Sequence, residues 1–243
     1  MEILAVIGAR AGSKGLPGKN VLVLAGHPLL AHAIRTATAC RHVSRVVFSS
    51  DSEEYGAIAR AYGAEVPFRR PEAFAADDSV EYHYVRHAVD WLEHEEGYRP
   101  DAVVRLCPTT PLILAEDVDR GIELLQSDIA ADSVILMTEA REHPMKAVKL
   151  APDGVHAVSY VSGTGADVSP SNRQGFPRAF NRQGLPVITR YRTLVHQGSQ
   201  TGDRVRFQLV APWTALDVDT ALDFRIVEAV LRDRGMLDAH GQV

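Results

Sequence analysis

The sequence predicts an α/β fold: an open, mostly parallel, twisted sheet with helices on both faces, carrying an extended arm. Three observations predict it. Short apolar strands alternate with amphipathic helical stretches along the first 140 residues, the rhythm of right-handed crossovers. The first strand, residues 3–7, is a continuous apolar run (Ile-Leu-Ala-Val-Ile), as expected where both faces are covered. The rhythm then breaks across 141–185, where charged, Gly- and Pro-bearing stretches show no helical period.

The elements follow in order. Pro28 suits the first turn of a helix that runs to Cys40. A second strand at 45–49 ends at Asp51-Ser52, and a helix over 53–62 stops at Gly63. A short strand at 65–68 precedes Pro71. Asp78 and Ser79 can cap a helix with Val80, Tyr84, Ala88 and Trp91 on one face. Strand 102–106 leads through Pro-Thr-Thr-Pro to a helix near 116–126, and 133–137 is a further strand. After the arm come a strand at 205–210 and a final helix bearing Phe224, Val227 and Leu231. Thr220-x-x-Asp223 at its start has the capping-box spacing.

Composition narrows the function. The chain has 243 residues, enough for one large domain with a sizeable core. Lys plus Arg is 26 and Asp plus Glu is 31, a net charge of −5, and no cluster of five basic residues occurs. Such a chain is poorly suited to gripping nucleic acid or a membrane surface. Two cysteines, Cys40 and Cys107, exclude a disulfide framework and a Cys-rich zinc site. No apolar run approaches the ~20 residues of a membrane helix. The Met1-Glu2 start reads as a strand rather than a leader, so a cytoplasmic protein is expected.

The chemistry concentrates in Gly8-Ala9-Arg10-Ala11-Gly12-Ser13-Lys14-Gly15-Leu16-Pro17-Gly18-Lys19-Asn20. Glycines expose backbone N–H groups, Arg10, Lys14 and Lys19 bring three cations, and Ser13 and Asn20 add neutral donors. Placed after a parallel strand, this combination suits a polyphosphate. It is not a P-loop, since five residues rather than four separate Gly12 from Gly18 and Asn20 follows the lysine. Nor does a helix open directly from the glycines, as a dinucleotide fold requires, because Pro17-Gly18 prolongs the loop. His83 and His87 lie four apart without a third ligand nearby in sequence and read as core or surface residues.

Residues 8–20 resemble the opening of the acylneuraminate cytidylyltransferases, matching it apart from Gly8, Ala11 and Leu16. The resemblance continues in order through Ser50-Asp51-Ser52, Arg70-Pro71, Asp77-Asp78-Ser79 and Leu106-Cys107-Pro108-Thr109-Thr110-Pro111-Leu112. It extends through His143-Pro144-Met145-Lys146, Arg173-Gln174, Arg182-Gln183-Gly184 and Asp217-Val218-Asp219-Thr220. It implies a nucleotide-diphospho-sugar transferase-like fold across residues 1–243, with 141–185 as a dimerisation and substrate lobe of a homodimer. The implied activity is CMP transfer from CTP to a sialic acid-like 2-keto sugar acid, with release of pyrophosphate.

Charge builds on the leaving pyrophosphate, so such a site needs cations and a metal around it. Arg10, Lys19 and Asp219 are the expected catalytic residues. Ala9, Arg10, Ser13, Lys14, Lys19, Asn20, Arg70, Asp78 and Ser79 are expected to bind the nucleotide. Asp217 and Asp219 lie two apart, which on an extended segment puts both carboxylates on one face for Mg²⁺, with Mn²⁺ an alternative. Cys107, Lys146, Arg173 and Gln183 are the expected contacts of an anionic sugar acceptor. Cys107 and Gln183 depart from the family's Gln and Asn, and a thiol does not reproduce an amide's two-way hydrogen bonding. Other acceptors therefore stay open: an eight-carbon keto-sugar acid, a phosphonate or a sugar phosphate. From other classes, a non-catalytic nucleotide-binding module and a nicotinamide oxidoreductase are the alternatives.

Overall fold

The computed structural model describes residues 1–12, 16–76, 79–161, 176–182 and 184–236. Strand β1 (Ile3–Gly8) is followed by a loop, a short hairpin of β2 (Val23–Leu24) and β3 (His27–Pro28), and helix α1 (Leu29–Ala39). Then come β4 (Arg45–Ser49), α2 (Glu53–Ala61), α3 (Glu81–Glu96), β5 (Ala102–Leu106), α4 (Ala115–Ser127) and β6 (Ser133–Glu139). The arm holds the hairpin β7 (Val148–Leu150) and β8 (Ala157–Ser159), and β9 (Phe180–Asn181) returns from it. The chain closes with β10 (Val187–Arg190), α5 (Tyr191–Val195), β11 (Val205–Leu209) and α6 (Ala221–Asp233).

The main sheet runs β11-β6-β10-β5-β1-β4, with β9 added at the end of β6. β1 pairs in parallel with β4 and β5, and β11 with β6. β10 is antiparallel to both β5 and β6. The sheet is thus mostly parallel, as the alternating pattern predicts. β10 is a four-residue strand in its interior that the alternation does not reveal.

Alternate residues of β1 feed two cores. Ile3, Ala5 and Ile7 pack with Leu30, Ile34, Ala59 and Ile122, residues of α1, α2 and α4 on one face. Leu4 and Val6 pack with Val85, Ala88, Leu92 and Leu194, residues of α3 and α5 on the other. A third cluster seats Val227 and Leu231 of α6 on Leu24, Leu29 and Leu112. The capping box at Thr220 is present: Asp223 N–H donates to Thr220 Oγ1 (3.3 Å) and Thr220 N–H to Asp223 Oδ2 (2.8 Å).

Two local expectations are corrected. Residues 65–68 do not form a strand: Glu65 alone bridges to Val47, and Pro67 has no N–H to extend the ladder. The buried stripe of α3 is Tyr84, Val85, Ala88, Val89 and Leu92. Val80 is exposed at the N-cap position, and no side chain caps the helix there, Ser79 included. Asp78 lies outside the described residues. Trp91 and His87 both rest on the Phe68 ring, with centroids at 5.5 and 4.7 Å.

Candidate active site

In the strand order the chain crosses from β1 to β4 on one side, and from β5 to β6 on the other. The crevice between the carboxyl ends of β1 and β5 is therefore the topological switch point, where open α/β sheets bind ligands. A cleft of about 500 Å³ lies there. Gly8, Ala9, Arg10, Lys19 and Asn20 line it from the loop after β1, and Cys107, Pro108 and Thr109 from the loop after β5.

The base of the first loop is stitched to the end of β4. Ala9 N–H donates to Ser49 O (3.1 Å) and Ala11 N–H to Asp51 Oδ1 (3.0 Å). Arg70, 5% exposed, donates from Nε to Ser49 Oγ (3.0 Å), and its guanidinium lies 4.4 Å from the Tyr84 ring centroid. Burial draws the Arg70 pKa below its ordinary value. A Cβ on Gly8 would stand 2.6 Å from both Arg70 Nη2 and the Tyr84 ring, so only glycine lets the strand end so close to them. Asn20 is buried, with Nδ2 donating to Arg10 O at 3.4 Å. Asn20 Oδ1 and Ser79 Oγ are buried and find no hydrogen-bond partner among the described residues. Unsatisfied polar atoms facing a cleft are costly unless a ligand completes them.

Segment 217–219 forms the opposite wall. Val218 N–H donates to Thr109 O (2.8 Å) while its side chain is buried under α6, which turns Asp217 and Asp219 the other way. Lys19 Nζ donates to Asp219 Oδ1 at 2.7 Å and to Val218 O at 3.0 Å. Burial raises the Asp217 carboxyl above its ordinary pKa, and the Asp219 charge adds to this. Asp217 Oδ1 is buried and unpartnered. Both carboxylates also line a second cavity, of about 550 Å³, walled by Arg141, Asn181 and Trp213. Asp219 borders both cavities. Gly184 closes in behind: its φ is +67°, and a Cβ there would stand 2.6 Å from Thr110 Cγ2 and 3.5 Å from Asp217.

The structure therefore brings Ala9, Arg10, Lys19, Asn20, Arg70, Ser79, Cys107 and Asp219 around one cleft, with Asp217 beside it. Lys146 does not line it; it is exposed on the arm. Ser13, Lys14, Asp78, Arg173 and Gln183 lie outside the described residues. Burial pushes the Cys107 thiol up to about 12, which disfavours the thiolate. Sequence reasoning overlooked Tyr84, the platform under Arg70, and Glu81, a cleft residue at the start of α3. It also overlooked Arg105, although a lone cation inside the apolar run 102–106 was a legible signal.

The chain is 30% identical over 237 residues to a post-translational flagellin modification protein B of Campylobacter coli, covering 97% of each. It is 29% identical over 225 residues to an N-acylneuraminate cytidylyltransferase of Escherichia coli. That match covers 93% of this chain and 51% of the relative, so the chain spans about half that protein's length. A solved CMP:2-keto-3-deoxy-manno-octonic acid synthetase complexed with CTP has the same fold, with TM-score 0.71 and 19% identity. The match covers 96% of this chain and 100% of that one. The cytidylyltransferase family model matches residues 4–154, from β1 through the switch-point crevice into the arm, and the chain belongs to that family.

Proposed function

We propose that this protein transfers CMP from CTP to a sialic acid-like 2-keto sugar acid and releases pyrophosphate. One observation carries the reading. Asp219 stands between a cleft floored by the phosphate loop and a second cavity of similar size, so a nucleotide and an acceptor can meet across it. Asn20 and Ser79 then complete their unsatisfied hydrogen bonds on the nucleotide, beside Arg70. Arg10 and Lys19 face the leaving phosphates, where negative charge develops. Ser13 and Lys14 join them in this reading. Lys19, now paired with Asp219, exchanges that partner for a phosphate when the nucleotide enters.

Asp217 and Asp219 fit a hard divalent cation: two carboxylates turned to one side, one with a buried oxygen that lacks a partner. Mg²⁺ or Mn²⁺ held there supplies Lewis-acid stabilisation of phosphate oxygens. On the acceptor side, Cys107 borders the cleft. Lys146, Arg173 and Gln183 remain acceptor contacts in this proposal, with Arg173 matching a carboxylate in a forked pair. The working unit is a cytoplasmic homodimer. Leu150 and Tyr160 in the arm and Phe207 on the edge strand are 68%, 63% and 52% exposed, an apolar surface that suits a second subunit. No helix among the described residues is long and apolar enough to cross a membrane.

The test is a pyrophosphate-release assay with four nucleoside triphosphates against a panel of keto-sugar acids, phosphonates and sugar phosphates. CTP-dependent release with a nine-carbon keto acid supports the proposal. Release only with another acceptor class replaces the sugar assignment, and binding without release makes the chain a nucleotide-binding module.

A further inference from the structure

Alternation along β5 puts Arg105 on the same face as Val103, in the layer that also holds Leu4, Val6 and Val85. The Arg105 side chain is only 6% exposed. A buried guanidinium there costs folding energy that a leucine would not, and buried ion pairs are weak contributors to stability. Its partners lead to the cleft. Nη1 donates to Glu81 Oε1 at 2.9 Å and touches Cys107 Sγ, while Nη2 donates to Leu185 O at 2.9 Å. The protonated Cys107 thiol also donates to Glu81 Oε1, at 3.4 Å. Glu81 is thus held by one oxygen, whereas the side chain as a whole is 48% exposed and lines the cleft. No described residue takes its other oxygen, Oε2.

A carboxylate anchored by one oxygen and open at the other, in a cleft that also holds Arg10, Lys19 and Arg70, repels phosphate and carboxylate groups. It accepts hydrogen bonds, and the commonest donors on a sugar are hydroxyls, as when an acidic residue holds a ribose diol. We propose that Glu81, fixed by Arg105, accepts a sugar hydroxyl in the cleft and so determines specificity for that hydroxyl. Arg105 is the positioning residue, and Cys107 the small neighbour that leaves Glu81 room. The inference rests on the nucleotidyl-transfer reading. Two sugars carry this chemistry, the ribose of the nucleotide and the acceptor itself.

The experiment compares kcat/KM for CTP, 2′-deoxy-CTP and 3′-deoxy-CTP, and for an accepted sugar acid and its monodeoxy analogues. The proteins are the wild type, Glu81→Gln and Arg105→Met, with thermal unfolding of each recorded. The wild type is expected to disfavour one deoxy compound by about 10- to 100-fold, the range for losing a hydrogen bond to a charged group. Glu81→Gln should remove most of that discrimination, and Arg105→Met part of it. A deoxy-CTP response identifies the ribose, and a deoxy-acceptor response the acceptor. Equal losses on all substrates with unchanged ratios would mean a merely structural role and overturn the inference. A wild type that releases no pyrophosphate with any acceptor overturns the functional reading as well.

Discussion

Removing the Lys19 ammonium separates catalysis from folding more sharply than any other change at this site. Lys19 is 15% exposed and pairs with an Asp219 that is 59% exposed. An ion pair open to solvent on one side contributes about 0–1 kcal/mol. For a domain of this size that shifts the melting temperature by only about 2–4 °C. In the proposed reaction the same ammonium would face phosphate charge that grows towards the transition state. Losing one such donor typically lowers kcat by about 10²- to 10³-fold, or about 2.7–4 kcal/mol. Lys19→Ala should therefore melt within a few degrees of wild type and release pyrophosphate at least about a hundred times more slowly with CTP saturating. Continuous pyrophosphate detection and a thermal melt on the same preparation measure both. A variant with near wild-type kcat would remove Lys19 from the chemistry. A fall of ten degrees or more would show that it works mainly as a strut for segment 217–219.

The other expectations are shorter. EDTA should abolish activity, with Mg²⁺ or Mn²⁺ restoring it, and Asp219→Asn should weaken Mn²⁺ binding by calorimetry; full activity of that variant would assign Asp219 elsewhere. Burial raises the folded-state pKa of Asp217, so its contribution to stability is present at acid pH and lost as pH rises through that pKa. Asp217→Asn in metal-free buffer should hence raise the melting temperature at pH 7 and give a smaller difference below pH ~4; a lower melting temperature at pH 7 would contradict the burial argument. Gly184→Ala, forced to φ +67° with its methyl at 2.6 Å from Thr110 Cγ2, should cost about 1–3 kcal/mol by denaturant titration. An unchanged midpoint would show that the loop relaxes freely. Light scattering should return twice the chain mass, and a monomer at micromolar concentration would refute the paired arms.

Much of the sheet was legible because β1, β4, β5 and β6 are largely buried and so read as short, mainly apolar runs, even with Arg105 inside β5. The loop after β1 was legible from its glycines and cations, whereas the crevice between β1 and β5 emerged only with the strand order of the sheet. β10 escaped because Val187 to Arg190 is four residues long, and its place between β5 and β6 is set by pairing across the sheet, which local pattern does not encode. The misplaced face of α3 has a similar cause. Val80 and Trp91 fit the helical period, but the sheet beneath is met by Tyr84, Val85, Ala88, Val89 and Leu92. Glu81 was hidden because its proposed role depends on Arg105, a partner 24 residues away on another element.

The arm leaves the sheet at the end of β6 and comes back beside it, since β9 pairs with the last residues of β6 and β10 lies antiparallel along the same strand. Both ends of the excursion are clamped to one strand, so the intervening chain is a closed loop whose cost depends on its length only logarithmically. Doubling it adds about 0.6 kcal/mol of closure entropy. The sheet and its crevice can thus tolerate large insertions or deletions between residues 141 and 179 at almost constant stability. Under the proposed function, subunit pairing and acceptor range can then diverge in that segment while the crevice between β1 and β5 stays unchanged.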